Sequence, residues 1–319
     1  MEQTYRKLLE SISIKYGVGV EQLEQRVASR RRKVFGLIGR RAAARSIALS
    51  MGIEPFLAAG SRHVCGLKVS DALAAACKEA KAGNLSTFGY WPQPDEDPNS
   101  IGAHYTDAID TVADANLDCS ISIKVDRLAY DREVLFPVLR RAMSRRIRVH
   151  FDAQTYETAD PTHALIEEAL AMGADVSATL PSRWARSFKD ADRLIQLGIP
   201  FRIVKGQGID PGKPRIDPRR SFLDLVRHVA GGAAAVGVAT HDRRVAEPAL
   251  DLLIEKNTPC TLEQLRSLPP LDFVAKRRGI RVRAYLAYGR FGLPYALGEI
   301  IRRPAILGWV LRDALVRLR

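Results

Sequence analysis

The chain has 319 residues, is 46% apolar and carries a formal net charge of +13. That length and apolar content supply a full hydrophobic core and argue against disorder, and no apolar run reaches the roughly 18 residues that a membrane-spanning helix needs. Cys65, Cys77, Cys119 and Cys260 are scattered without a Cys-x-x-Cys pair, which argues against a disulfide framework or a structural zinc site.

The first residues, Met1 to Arg6, lack the apolar core of a signal peptide, so a cytoplasmic location is expected. Residues 1–83 read as a helical N-terminal segment, with helices over 5–14, 20–30, 34–51 and 70–82, the last between Ser70 as N-cap and Gly83 as C-cap. Residues 26–45 hold eight Lys or Arg and no acid. Such a tract is either a solvated basic helix or a surface for anionic membrane or nucleic acid. Only Phe35 interrupts it and no nucleic-acid-reading motif is present, which speaks against nucleic acid.

From Leu85 the pattern changes to short β-type runs separated by amphipathic stretches. The runs cover 85–90, 119–124, 147–152, 176–180, 201–205, 235–240, 258–262 and 281–287. The stretches between them include 101–115, 131–143, 162–172, 188–197, 219–229 and 243–255. Eight alternating units match an α/β fold of the (β/α)8 TIM barrel type over residues 84–319 better than an open doubly wound sheet.

Polar residues gather at the C-terminal ends of these runs, the end that carries active sites in such barrels. Lys124 closes Cys119-Ser120-Ile121-Ser122-Ile123-Lys124, with Ser120, Ser122 and Lys124 on the inward face. Asp152 closes Val149-His150-Phe151-Asp152, and the neighbouring Lys124 and Asp152 are expected to pair, either lining a pocket or plugging the barrel. The run Phe201-Arg202-Ile203-Val204-Lys205-Gly206-Gln207-Gly208 ends in a cation and two glycines. Arg202 and Lys205 are three apart, so Lys205 belongs to the loop if Arg202 is on the strand. The glycines then either let main-chain N–H groups approach a ligand or form a plain turn. Thr240-His241-Asp242 follows the sixth run, and Tyr285 lies in the last.

These fragments together resemble the proline dehydrogenase family, FAD-dependent enzymes built on a distorted (β/α)8 barrel. Ser122-Ile123-Lys124, Asp152, Arg202-Ile203-Val204-Lys205-Gly206, Ala239-Thr240-His241-Asp242 and Gln264-Leu265 are similar to the family's motifs, as are Arg283-Ala284-Tyr285-Leu286-Ala287-Tyr288-Gly289 and Pro294-Tyr295. The resemblance implies an FAD across the barrel mouth, with Arg202 near the flavin N5 region, Lys205, Gly206 and Gln207 along the cofactor chain, and Thr240 and His241 on its phosphates. It implies Lys124, Asp152 and Tyr285, with Tyr295, around an amine or amino-acid substrate that loses hydride to the flavin and leaves as an imine. Residues 302–319, with Ile306, Leu307, Trp309, Val310, Leu315 and Leu318 among charged positions, read as an amphipathic helix that either docks against the barrel or touches an anionic membrane, and the resemblance implies a membrane quinone as electron acceptor.

The chain departs from that family pattern at four places. The family's carboxylate-gripping Arg-Arg pair is replaced by Gly298-Glu299, its following glutamate by Arg302, its strand-four glutamine by Pro181, and the tyrosine after Lys-Gly-Ala by Gly208. An acid where a carboxylate docks converts attraction into repulsion. The expected function is therefore oxidation of a C–N bond of proline or a proline-like amine, with free L-proline disfavoured as substrate by Gly298-Glu299. The alternative is a catalytically impaired family member that serves as a binding or scaffold protein.

Overall fold

The computed structural model describes residues 64–289 except 94, 153, 154, 207–209, 214, 267 and 269. The helices expected over 5–14, 20–30, 34–51 and 302–319, the basic tract, and Gln207, Gly208, Tyr295, Gly298 and Glu299 lie outside the described residues.

Helix α1 (Val69–Lys81) leads into eight strands, the first seven each followed by a helix: β1 (Leu85–Tyr90), α2 (Pro98–Asp114), β2 (Cys119–Ile123), α3 (Arg132–Arg145), β3 (Arg148–Phe151), α4 (Ala159–Ala171), β4 (Val176–Pro181), α5 (Ser187–Gln196), β5 (Phe201–Val204), α6 (Pro218–Val229), β6 (Val236–Ala239), α7 (Arg243–Glu255), β7 (Cys260–Leu265), α8 (Asp272–Lys276) and β8 (Val282–Tyr288). Each strand pairs in parallel with the next, and β8 closes onto β1 with Tyr288 opposite Tyr90. The architecture is a closed (β/α)8 barrel.

Local chemistry explains where the helices begin. Asp97, Asp131, Asp217 and Asp242 stand at the N-caps of α2, α3, α6 and α7, and each carboxylate accepts a first-turn amide. Pro98 and Pro218 follow two of these caps at the position where a missing N–H costs nothing. The expected cap at Ser70 is not used. Val69 already begins α1, because the Asp71 carboxylate accepts the Lys68 amide at 2.9 Å, one turn earlier. Gly83 ends α1 with φ +78°, a conformation open to glycine at no steric cost.

Seven of the expected runs lie within a residue or so of the observed strands, and the seventh is displaced. Its start at 258 is incorrect: Thr258 donates its amide to Leu253 and accepts the Gly231 amide on its hydroxyl at 2.7 Å, so it belongs to the helix-to-strand turn. Strand β7 runs instead to Leu265 and carries Glu263 into the barrel.

The strands separate two environments. Outward residues such as Phe88, Ile121, Ile123, Val149, Phe151, Ile203, Val238, Leu262 and Leu286 are buried against the helices. The inner face is polar, with Thr87 sharing a 2.8 Å hydrogen bond with Ser120. A polar barrel interior needs internal partners for every group it buries, and those partners build the mouth described next.

Candidate active site

Arg202 on β5 is the hub of the mouth. It is 7% exposed, yet each side of its guanidinium is engaged. Nη2 donates to Asp152 Oδ1 at 2.8 Å, Nε donates to Thr179 Oγ1 at 3.0 Å, and Nη1 lies 3.7 Å from Glu263 Oε2. The guanidinium also stacks on the Tyr285 ring at 5.2 Å. Burial opposes its charge, but Asp152, Glu263 and Tyr285 outweigh burial and raise its pKa above the usual arginine value.

Lys124 follows β2 and approaches the same group from the other side. Its Nζ donates to the Tyr90 carbonyl at 3.3 Å and the Tyr285 hydroxyl at 3.4 Å, and sits 5.9 Å over the Trp91 ring. Its amide donates to Tyr105 Oη at 3.1 Å, and burial pushes that phenol up to about 12. Burial works against the ammonium too, yet Tyr285 and Asp152 hold its pKa above the ordinary lysine value. The expected approach of Lys124 to Asp152 is present at 3.9 Å, without a hydrogen bond. The short, hydrogen-bonded partner of Asp152 is Arg202.

Two glycines make this convergence sterically feasible. A Cβ at Gly89 would lie 2.2 Å from Tyr285 Oη, so the bare strand β1 lets the ring cross it toward Lys124. A Cβ at Gly237 on β6 would lie 2.8 Å from Arg202 Cβ and 2.3 Å from Glu263 Oε1.

Below the ion pairs, His150 Nδ1 meets Ser177 Oγ at 2.8 Å and Nε2 meets Thr179 Oγ1 at 2.7 Å. The Thr179 hydroxyl donates to Asp152 Oδ1 at 3.4 Å, so it accepts from His150 Nε2–H, and Nδ1 accepts from Ser177. Burial, with Arg202, Arg283, Arg148 and Lys124 adding repulsion, holds the His150 pKa well below its usual value, and the ring is neutral. The unfolded chain then takes up this proton first. Its contribution to stability is full above about pH 6.5 and is lost as pH falls toward the lower folded-state pKa, at up to about 1.4 kcal/mol per pH unit. Urea midpoints measured between pH 7.5 and 5 should fall more steeply for wild type than for His150→Gln. Parallel curves would contradict the assignment.

The β5 and β6 ends complete the rim. Lys205 is exposed in the loop after Val204, and Gly206 has φ +80°. A Cβ at Gly206 would lie 2.7 Å from Pro181 Cβ, so the β4 end presents a proline ring here and no polar group. Thr240 Oγ1 accepts the Asp242 amide at 3.1 Å, leaving its hydroxyl hydrogen to donate. His241 Nε2 accepts the Leu265 amide at 3.0 Å, so the ring carries its proton on Nδ1. Of the residues singled out from sequence, Lys124, Asp152, Arg202 and Tyr285 meet directly, and Lys205, Gly206, Thr240 and His241 stand at neighbouring strand ends. Glu263, Thr179 and His150 were missed. Extending the seventh run by one residue, with Thr261 and Glu263 on one face under period-two alternation, is the signal that finds Glu263.

No family model matches the chain. A sequence named proline dehydrogenase 1, from Bacillus subtilis subsp. natto, is 21% identical over 271 residues, which make up 80% of this chain and 90% of that one. The family it resembles is that of the proline dehydrogenases. The proline dehydrogenase 1 of Bacillus subtilis strain 168 matches over the same length at the same identity. Among solved structures, proline utilization A from Bdellovibrio bacteriovorus, inactivated by N-propargylglycine, superposes with a TM-score of 0.61 at 15% identity over 77% of this chain. A proline utilization A with proline bound in remote sites superposes with a TM-score of 0.53 at 16% identity over 69% of it. This chain spans 32% and 27% of those two longer chains, and the likeness to them is one of fold. The segments Ser122-Ile123-Lys124, Arg202-Ile203-Val204-Lys205-Gly206 and Ala239-Thr240-His241-Asp242, on which the resemblance rests, all sit at C-terminal strand ends of the barrel.

Proposed function

We propose that this protein is a flavin-dependent oxidoreductase acting on a CH–NH bond, with FAD as cofactor. The observation that carries the reading is the cluster of Lys124, Asp152, Arg202 and Tyr285 across the C-terminal mouth of a closed barrel. The donors around that mouth fit a dinucleotide. Lys205, the Thr240 hydroxyl and the His241 Nδ1–H are cationic or donating groups of the kind that phosphates require, and Arg202 is the buried cation suited to the flavin ring system. Gly206 and Gln207 would accompany the chain between them. Pro181 supplies no hydrogen bond from β4, which makes the hold weaker on that side.

The chemistry the flavin supplies when bound is acceptance of the hydride. The chain's own residues do the rest. Arg202 places a fixed positive charge where negative charge develops, and Asp152 keeps that charge from moving. Lys124 and Tyr285, joined by their hydrogen bond, orient the substrate carbon, and the Tyr285 ring packs against it. The buried mouth favours the neutral amine, the form from which hydride leaves, over the ammonium. Glu299, in the place where the family carries an arginine, points to a proline-like amine without a free carboxylate as substrate. A membrane quinone is the proposed electron acceptor, reached by contact of the 302–319 segment with the inner face of the membrane. No helix among the described residues is long and apolar enough to cross one.

Two measurements test this reading. The purified protein should show the absorption of oxidised flavin released by denaturation, and a colourless, flavin-free protein would overturn the reading. With an artificial acceptor, L-prolinamide and pyrrolidine-type amines should give higher kcat/KM than L-proline, and Gly298→Arg/Glu299→Arg should shift preference toward L-proline. If free proline is the best substrate of wild type and the double variant gains nothing, the reading of Glu299 is wrong. A second reading, a binding or scaffold protein without turnover, is favoured by Pro181 standing where a polar contact is expected. Flavin that binds but is not reduced by any of these amines would support it.

A further inference from the structure

Four ionised side chains face one another inside the upper barrel, Lys124 and Arg202 against Asp152 and Glu263. The first three belong to the motifs that the proline dehydrogenase likeness covers, and Glu263 does not. Its side chain is 13% exposed, the same as that of Asp152, and its ion pair among the described residues is with Arg202. Arg283, beside it in register on β8, is taken up by the Ser86 carbonyl at 2.9 Å toward the other end of the barrel.

A carboxylate this deep is costly without a partner. The space for it is made at a cost as well, since glycine in a strand interior is unfavourable and Gly237 is the residue whose missing side chain admits the Glu263 carboxylate beside Arg202. The pair therefore has a consequence beyond packing. Inside the mouth the two buried cations are cancelled by two anions, so its buried part offers no uncompensated positive charge to a ligand carboxylate, and exposed Lys205 stands outside it in the loop after β5. An amine nitrogen, by contrast, meets two acceptor groups.

We propose that Glu263 is a specificity-determining residue that cancels the second positive charge of the mouth, so that the barrel receives its substrate through an amine without an adjacent free carboxylate. This deepens the amine-oxidising reading and rests on it for the substrate class, but the charge balance comes from Glu263, Arg202 and Gly237 alone.

The test is isothermal titration calorimetry of the purified protein, without oxygen or added acceptor, with L-proline and L-prolinamide as probes. Wild type should bind prolinamide more tightly than proline. In Glu263→Gln, which keeps the shape of the side chain, the ratio of the two dissociation constants should move toward proline by about tenfold or more, since one buried charge has been removed near the ligand. The flavin content should be unchanged. A ratio that moves by less than about twofold overturns the proposal, as does a wild type that binds neither probe or prefers proline. Should Glu263→Gln fail to fold, Glu263→Ser carries the same test, with the same shift toward proline expected and the same threshold overturning the proposal. A protein that shows the expected ratios but carries no flavin would refute the dehydrogenase reading and leave the charge assignment standing.

Discussion

Replacing Arg202 by methionine should destabilise the protein by roughly 3–5 kcal/mol and leave it without bound flavin. The reason is the company that Arg202 keeps. Asp152 and Glu263 are both largely buried, with 13% side-chain exposure, and this guanidinium is the hydrogen-bonded partner of Asp152 and the ion-pair partner of Glu263 among the described residues. Removing one partner of a buried ion pair leaves the other charge desolvated and unpaired, which costs far more than the pair contributes. Thr179 Oγ1 and the Tyr285 ring also lose a contact. In thermal unfolding the loss corresponds to a drop on the order of 10 °C. An Arg202→Met protein with the wild-type Tm and stoichiometric flavin would show that Arg202 is neither the hub of the mouth nor a cofactor ligand.

Lys124→Met should behave differently. Turnover of the best amine should fall by about 10²-fold to 10⁴-fold, while stability changes by only about 1 kcal/mol. Asp152 keeps its 2.8 Å hydrogen bond to Arg202 when Lys124 is gone, so no carboxylate is stranded. What disappears is the donor to Tyr285 Oη and the cation over Trp91, the groups that hold the substrate carbon in place in the proposed reaction. Double-mutant cycles with Asp152→Asn give the sharper comparison. The coupling of Arg202 to Asp152 should reach roughly 2–3 kcal/mol and exceed that of Lys124 to Asp152, because a charged hydrogen bond at 2.8 Å is stronger than a contact at 3.9 Å. Equal couplings, or a larger one for Lys124, would reverse the hierarchy of this site.

The barrel itself was legible in the sequence because its signals are local. Alternation in Cys119-Ser120-Ile121-Ser122-Ile123 assigns serines to one face and isoleucines to the other before any partner strand is known. Eight such runs separated by amphipathic stretches leave few architectures open, and charges at the run ends mark the functional face. Lys124, Asp152, Arg202 and Tyr285 were found in this way, and the likeness to proline dehydrogenases follows from the same strand ends. The seventh run was misplaced because Thr258 has a good strand propensity but is held in a turn by the amide of Gly231, 27 residues away.

Which ions pair with which was decided only by the tertiary structure. Neighbouring strands made Lys124 and Asp152 the natural pair from sequence, yet the barrel's curvature brings Arg202 from β5 and Glu263 from β7 to the same centre. That meeting depends on Gly89 and Gly237, whose value lies in atoms they lack. The glycines are visible along the chain, but which side chains fill the space of their missing Cβ atoms, here those of Tyr285, Arg202 and Glu263, is set by other strands and seen only in the closed barrel. The neutrality of His150 has the same origin. Its pKa is set by burial and by cations from other strands, so the chain order specifies the histidine and the closed barrel specifies its charge.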